Sequence, residues 1–87
     1  MRTINFDYKA FKQYNDWAKE NKNIHKKIIE LLEATVRNPF EGIGKPELLK
    51  GDKKAYCSRR ITDEHRLVYQ VTDEEIFVVS CKFHYDN

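Results

Sequence analysis

Helical periodicity runs up to Asn38-Pro39 and stops there, and only short, punctuated apolar runs follow. That break most constrains the fold. Ile24, Ile28, Leu31, Leu32 and Val36 recur at the spacing of one buried helix stripe, with Asn23 as the expected cap. Pro39 ends the helix by pushing Asn38 out of the α region. An earlier helix follows Asp7, which can cap it; Phe11, Tyr14 and Ala18 form its stripe, with Trp17 beside them. Asn21-Lys22-Asn23 separates the two helices, so they are expected to form an antiparallel hairpin. Before them, Arg2 to Phe6 alternates as a short strand does.

Beyond Pro39 the pattern changes. Gly42, Gly44 and Pro46 mark a loop, and residues 46–50 read as one helical turn. Three strands are expected at about 55–61, 65–71 and 76–83. The short connections Thr62-Asp63-Glu64 and Thr72-Asp73-Glu74-Glu75 make them an antiparallel meander. The order predicts an α+β fold: an N-terminal strand, a two-helix hairpin, then a three-stranded meander completing one sheet with the helices on one face. Residues 1–87 are expected to form a single domain.

Composition narrows the function classes. A chain of 87 residues buries only about 60–65% of its unfolded surface, so its core is thin. With 40% hydrophobic and 34% charged residues it reads as globular rather than disordered. It contains no apolar run long enough for a membrane span or a secretory segment. Cys57 and Cys81 lack metal-ligand spacing and read as reduced, buried thiols of a cytoplasmic protein; no metal or cofactor is expected. The net charge of +2 predicts no partner, but its distribution does. Between Gly44 and Arg60, Lys45, Lys50, Lys53, Lys54, Arg59 and Arg60 face only Glu47 and Asp52, a local balance of +4. Such a patch attracts nucleic-acid phosphates, although a solvated loop would carry the same lysines.

Chemistry is concentrated in the last half. Glu47, Arg66 and His84 lie on a loop and two expected strands of one sheet, which can bring them together. Strand parity sets Leu67, Tyr69 and Val71 on one face and Arg66, Val68 and Gln70 on the other. It leaves open whether Arg59 or Arg60, and whether Lys82 or His84, joins Arg66. RNA is cut by its own 2′-hydroxyl when a base removes that proton, an acid protonates the departing 5′-oxygen, and a cation stabilises the charged phosphorus oxygens. No metal is needed. Glu47 suits the base. His84 suits the acid, because an unperturbed imidazole titrates near about 6.5. Arg66 suits the phosphate. Each also has a structural reading: a solvated glutamate, an exposed tail histidine, an arginine paired with a turn carboxylate. His25 reads as a surface residue, and His65 as a partner of Asp63 or Glu64.

Three long segments then carry a resemblance. Residues 38–50 (NPFEGIGKPELLK), residues 58–69 (SRRITDEHRLVY) and the closing His84-Tyr85 resemble YoeB/Txe-type toxins of the RelE superfamily, in unbroken order over the second half. The resemblance implies a RelE-like fold and a toxin of a type II toxin–antitoxin pair that cuts messenger RNA in the ribosomal A site. It implies catalytic positions at Glu47, Arg66 and His84, with Tyr85 in support. It also implies a YefM-type antitoxin as partner and a tendency to dimerise. Lys45, Lys50, Lys53, Lys54, Arg59, Arg60 and Lys82 are the expected RNA or ribosome contacts. Val68 and Tyr56 are the apolar residues among them that a partner can bury. In two places the chain departs from the pattern: Tyr56-Cys57 replaces an aromatic pair containing Trp, and Asp86-Asn87 follows His84-Tyr85. Two other classes compete, a non-catalytic toxin that binds a protein such as a topoisomerase, and a basic RNA-binding module. The Glu47, Arg66 and His84 set argues against the first, because a pure protein binder would not need it.

Overall fold

Two short side chains start the helices. In this computed structural model, which describes residues 1–49 and 56–83, the Asp7 carboxylate accepts from Lys9 N and opens α1 (Tyr8–Glu20). Asn21 serves both helices. Its backbone N–H caps α1 at Trp17 O, and its side chain accepts from Asn23 N and Ile24 N to open α2 (Lys22–Arg37). The expected cap, Asn23, is instead inside the helix. A single residue can close one helix and open the next because the orphan groups at the two ends are of opposite kind. Replacing Asn21 by Ala is therefore expected to cost about 1–2 kcal/mol. A denaturant titration should show a lower midpoint at unchanged slope; an unchanged midpoint would refute the double cap.

The α2 stripe is as expected, with Ile28, Leu31 and Leu32 buried and Ile24 and Val36 packed against the core. Thr35 joins it, its hydroxyl donating to Leu31 O at 2.6 Å. The α1 stripe is rotated from expectation. Ala10 and Trp17 are buried, whereas Phe11 is 50% exposed. Trp17 sets that rotation: its indole N–H donates to Cys81 O at 2.9 Å, which fixes the helix face turned to the sheet. His25 is half-buried and meets the Tyr14 ring at a tilt of 42°, with ring centroids 4.5 Å apart.

The strands are β1 (Thr3–Phe6), β2 (Glu47–Leu48), β3 (Tyr56–Arg60), β4 (Arg66–Val71) and β5 (Glu75–Ser80). They form one five-stranded sheet in the order β1-β5-β4-β3-β2. The α+β expectation holds, with the meander β3-β4-β5 antiparallel and β1 added in parallel beside β5. One expectation fails. Residues 46–50 do not supply a helical turn: Glu47 and Leu48 instead pair with Ser58 and Cys57 of β3, and Leu49 N donates to Tyr56 O. The unpaired edge of β3 offered hydrogen-bond partners that one isolated helical turn could not match.

The core joins Ala10 and Trp17 of α1, the α2 stripe, and Cys57, Leu67, Tyr69, Ile76 and Val78 of the sheet, with Ile61 and Cys81 just beyond strand ends. Both cysteines are buried and free, and burial pushes the Cys81 thiol up to about 12. Among the described residues, no helix is long and apolar enough to cross a membrane.

Candidate functional site

Register decides which polar residues share a face. Glu47 pairs with Ser58, Ser58 with Val68, and Arg60 with Arg66. Paired residues point the same way, and so do residues two apart on a strand. Glu47, Ser58, Arg60, Arg66 and Val68 therefore lie on one face. Cys57, Leu67 and Tyr69 lie on the other, which carries the helices. Strand spacings of about 4.8 Å and 3.4 Å per residue put the Glu47 and Arg66 Cα atoms about 12 Å apart, close enough for both side chains to reach one phosphate.

Parity also separates the two neighbouring arginines. Arg60 is exposed on the polar face, with Nη1 3.6 Å from Asp63 Oδ1. Arg59 is 0% exposed and points into the core side. Its Nη2 donates to Asn38 O and Glu41 O, its Nη1 to Ile43 O, and its Nε to the Tyr69 hydroxyl. Tyr69 passes the chain on by donating to Pro39 O at 2.7 Å. Burial pushes the Tyr69 phenol up, and the Arg59 bond pulls it partly back. The expectation that Arg59 binds RNA is thus corrected: the side chain is buried, with three of its five N–H groups on carbonyls of the 38–43 loop and a fourth on Tyr69. The signal was present: Arg59 lies two residues from both Cys57 and Ile61, so strand parity puts it on their face.

That loop delivers Glu47. Gly44 has φ +84, and a Cβ there would come within 2.8 Å of Leu31 Cδ2 and 3.0 Å of Arg59 Cβ, so glycine alone fits. Its carbonyl accepts from Arg60 N at 2.6 Å, which ties the loop to β3 just before β2 begins. Glu47 emerges exposed, beside a cleft of about 150 Å³ lined by Pro39, Phe40, Pro46, Leu48 and Cys57. A larger hollow of about 590 Å³ lies against α2, lined by Glu30, Glu33 and Glu41 against one cation, Arg37, a net negative charge that disfavours a phosphate. The cleft beside Glu47 is lined mainly by apolar residues, Leu48 and Cys57 of the helix-bearing face among them, and neither hollow includes Arg66.

Arg66 is half-buried, and its Nη1 donates to Thr62 O at 2.6 Å, His65 O at 3.1 Å and Asp63 O at 3.2 Å. Turn carbonyls hold the guanidinium. Lys45 is exposed. Lys82 leans back over Trp17, its Nζ 5.2 Å from the ring centroid and 3.6 Å from Glu20 Oε1. Val68 is fully buried between β3 and β5, so it offers a partner nothing. His84, Tyr85, Lys50, Lys53 and Lys54 lie outside the described residues. Among the described residues, no group of three or more His, Cys, Asp or Glu side chains is placed to hold a metal ion.

One cluster was not legible from spacing. His65 is 6% exposed and meets Trp17 edge-on, with centroids 4.8 Å apart. Its Nδ1 accepts from Phe83 N at 2.8 Å. Its Nε2 lies 3.7 Å from Glu64 Oε1, so the expected acidic neighbour is there as a charge rather than a hydrogen-bond partner.

Comparison with known proteins agrees with this architecture. Residues 6–85 match the family described as YoeB-like toxin of bacterial type II toxin-antitoxin system. Toxin YoeB of Escherichia coli strain K12 is 50% identical over 76 residues, covering 87% of this chain and 90% of that one. The YoeB dimer from Staphylococcus aureus superposes with a TM-score of 0.90 at 49% identity, covering 97% of this chain and 98% of that one. The YoeB-YefM complex from the same organism gives 0.88 at 50% identity, covering 98% and 99%. With its fold and most of its length shared at this level, the chain belongs to the YoeB-like toxins of bacterial type II toxin–antitoxin systems.

Proposed function

We propose that this toxin is a ribosome-dependent endoribonuclease that cuts messenger RNA in the ribosomal A site. The observation that carries the reading is the shared face: Glu47 and Arg66 stand on the sheet surface away from the helices, in register for one phosphate. Glu47 acts as general base on the 2′-hydroxyl, and His84 as general acid on the 5′-oxygen, with Tyr85 in support. Arg66 stabilises the charge that builds on the phosphorus oxygens. A guanidinium has five N–H donors. Turn carbonyls engage Nη1 and fix the plane, and Nε and Nη2 are the proposed phosphate contacts. This chemistry requires no metal or cofactor.

Lys45, Lys50, Lys53, Lys54 and Arg60 hold the ribosomal or message backbone. Lys82, turned to Glu20, contributes less. The partner that silences the toxin is a YefM-type antitoxin, as in the S. aureus complex, and the free toxin pairs with a second copy, as in the S. aureus dimer. Toxin, antitoxin and ribosome meet in the cytoplasm, and residues 1–87 act as one domain.

The experiment is direct. Pure protein is incubated with programmed ribosomes and with free message, and message ends are mapped; cuts confined to the A-site codon support the reading. Ribosome binding should also depend on salt. Exchanging Lys45 and Arg60 together for Ala is expected to lower the slope of log affinity against log salt by about 2, roughly one per phosphate contact. An unchanged slope would remove both residues from the binding surface.

A further inference from the structure

We infer that His65 is a positioning residue for message cleavage: its neutral imidazole clamps Phe83, the residue from which the chain passes into His84. The inference rests on the catalytic reading above. Strand β5 ends at Ser80, so Cys81 to Phe83 have no ladder to hold them. Phe83 is also in the left-handed region, at φ 62, which a phenylalanine adopts only when its surroundings impose it. Burial does not impose it here, because Phe83 is 56% exposed. Two backbone bonds do. Phe83 N donates to His65 Nδ1 at 2.8 Å, and Phe83 O accepts from Arg66 N at 3.2 Å. Consecutive residues of one strand start thus grip both sides of the residue before His84, and the second of them is the proposed phosphate ligand.

The grip demands one protonation state. To accept at Nδ1, the ring must carry its proton on Nε2, the edge 3.7 Å from Glu64 Oε1. An imidazolium would oppose N–H to N–H. Of the groups packed around it, Trp17 holds the neighbouring backbone through Cys81 O. Lys82 is drawn to Glu20 and to the Trp17 and Phe83 rings. A substitution at position 65 removes the imidazole acceptor together with the ring's contacts to Trp17 and Phe83, the latter with centroids 5.4 Å apart, and His65→Asn returns only the acceptor.

The test uses the parent, His65→Leu and His65→Asn. Leu fills the space without an acceptor; the Asn carbonyl restores an acceptor near the Nδ1 position. In the parent, ¹⁵N spectra of the histidine ring should show Nδ1 unprotonated and Nε2 protonated, and the Phe83 amide should exchange slowly. On programmed ribosomes, His65→Leu should lose about 10²-fold in the single-turnover rate at saturation, with ribosome affinity unchanged, as expected when a reacting group is misplaced by about 1 Å. His65→Asn should recover most of that loss. A protonated Nδ1, or a freely exchanging Phe83 amide, would overturn the clamp even if neither variant folded. A parental rate in His65→Leu, or a loss that His65→Asn fails to recover, would overturn the positioning role. If the parent itself cuts no message, the catalytic reading falls, while the ring tautomer and the amide exchange still decide whether the clamp exists.

Discussion

Arg59→Ala is expected to destabilise the fold by about 3–5 kcal/mol, and its effect on RNA binding should be secondary. The side chain is 0% exposed, and its donors reach the carbonyls of Asn38, Glu41 and Ile43 and the Tyr69 hydroxyl. Removing it leaves those carbonyls without a partner where water enters poorly, and each orphan costs about 1–3 kcal/mol. A domain of this size has only about 5–10 kcal/mol in total. Arg59→Lys should also be damaging, because a single ammonium cannot span carbonyls that a planar fork reaches together. Chemical denaturation reads the loss as a fall in midpoint. A variant with the parental midpoint but weakened ribosome binding would restore Arg59 to the RNA surface and break the account of the loop.

Glu47→Ala is expected to lower message cleavage by about 10²–10⁴-fold while leaving stability within about 0.5 kcal/mol. Glu47 is exposed on a two-residue edge strand and is not among the buried core residues. Its loss should therefore register in chemistry alone. His84→Gln should fall by a similar factor, because the amide keeps a hydrogen bond but donates no proton at neutral pH. Arg66→Ala should be impaired as well, through lost charge stabilisation at the phosphate. Melting temperature and single-turnover rate measured on the same preparations separate the two effects. A Glu47→Ala protein that cuts at the parental rate would remove the carboxylate from the mechanism.

These two predictions concern residues read from the sequence in different roles, Glu47 as the base and Arg59 as an RNA contact. Helices and meander were legible because periods of 3.6 and 2 survive in a single strip of sequence; Ile24 to Val36 and the 62–64 and 72–75 turns carry them openly. The pairing of Glu47 and Leu48 was not legible, since two residues have no period and Pro46 to Lys50 looks equally helical. Asn21 and Asn23 are chemically identical candidate caps two residues apart, so spacing does not choose between them, and Asn21 takes the role. Arg59 and Arg60 are likewise identical in type. The sheet register, together with a loop needing donors, sends one inward and the other out. His65 meeting Phe83 is a contact across 18 residues between groups in no common pattern, so no reading of local spacing could find it. Gly44 sits between these cases: its loop role was plain, but the close approach to Leu31 and Arg59 that forbids a side chain was not.

The central claim is that the shared face carries out cleavage by the RNA's own 2′-hydroxyl. It is tested most directly by the chemistry of the cut ends. Programmed ribosomes are incubated with the parent toxin in the presence of a chelator, once with ordinary message and once with message carrying a 2′-deoxy sugar at the scissile nucleotide. The account predicts a cut in the ordinary message, with a 2′,3′-cyclic or 3′-phosphate on one fragment and a 5′-hydroxyl on the other, and no cut in the deoxy message. Cutting of the deoxy message, or fragments that carry a 5′-phosphate, would contradict it.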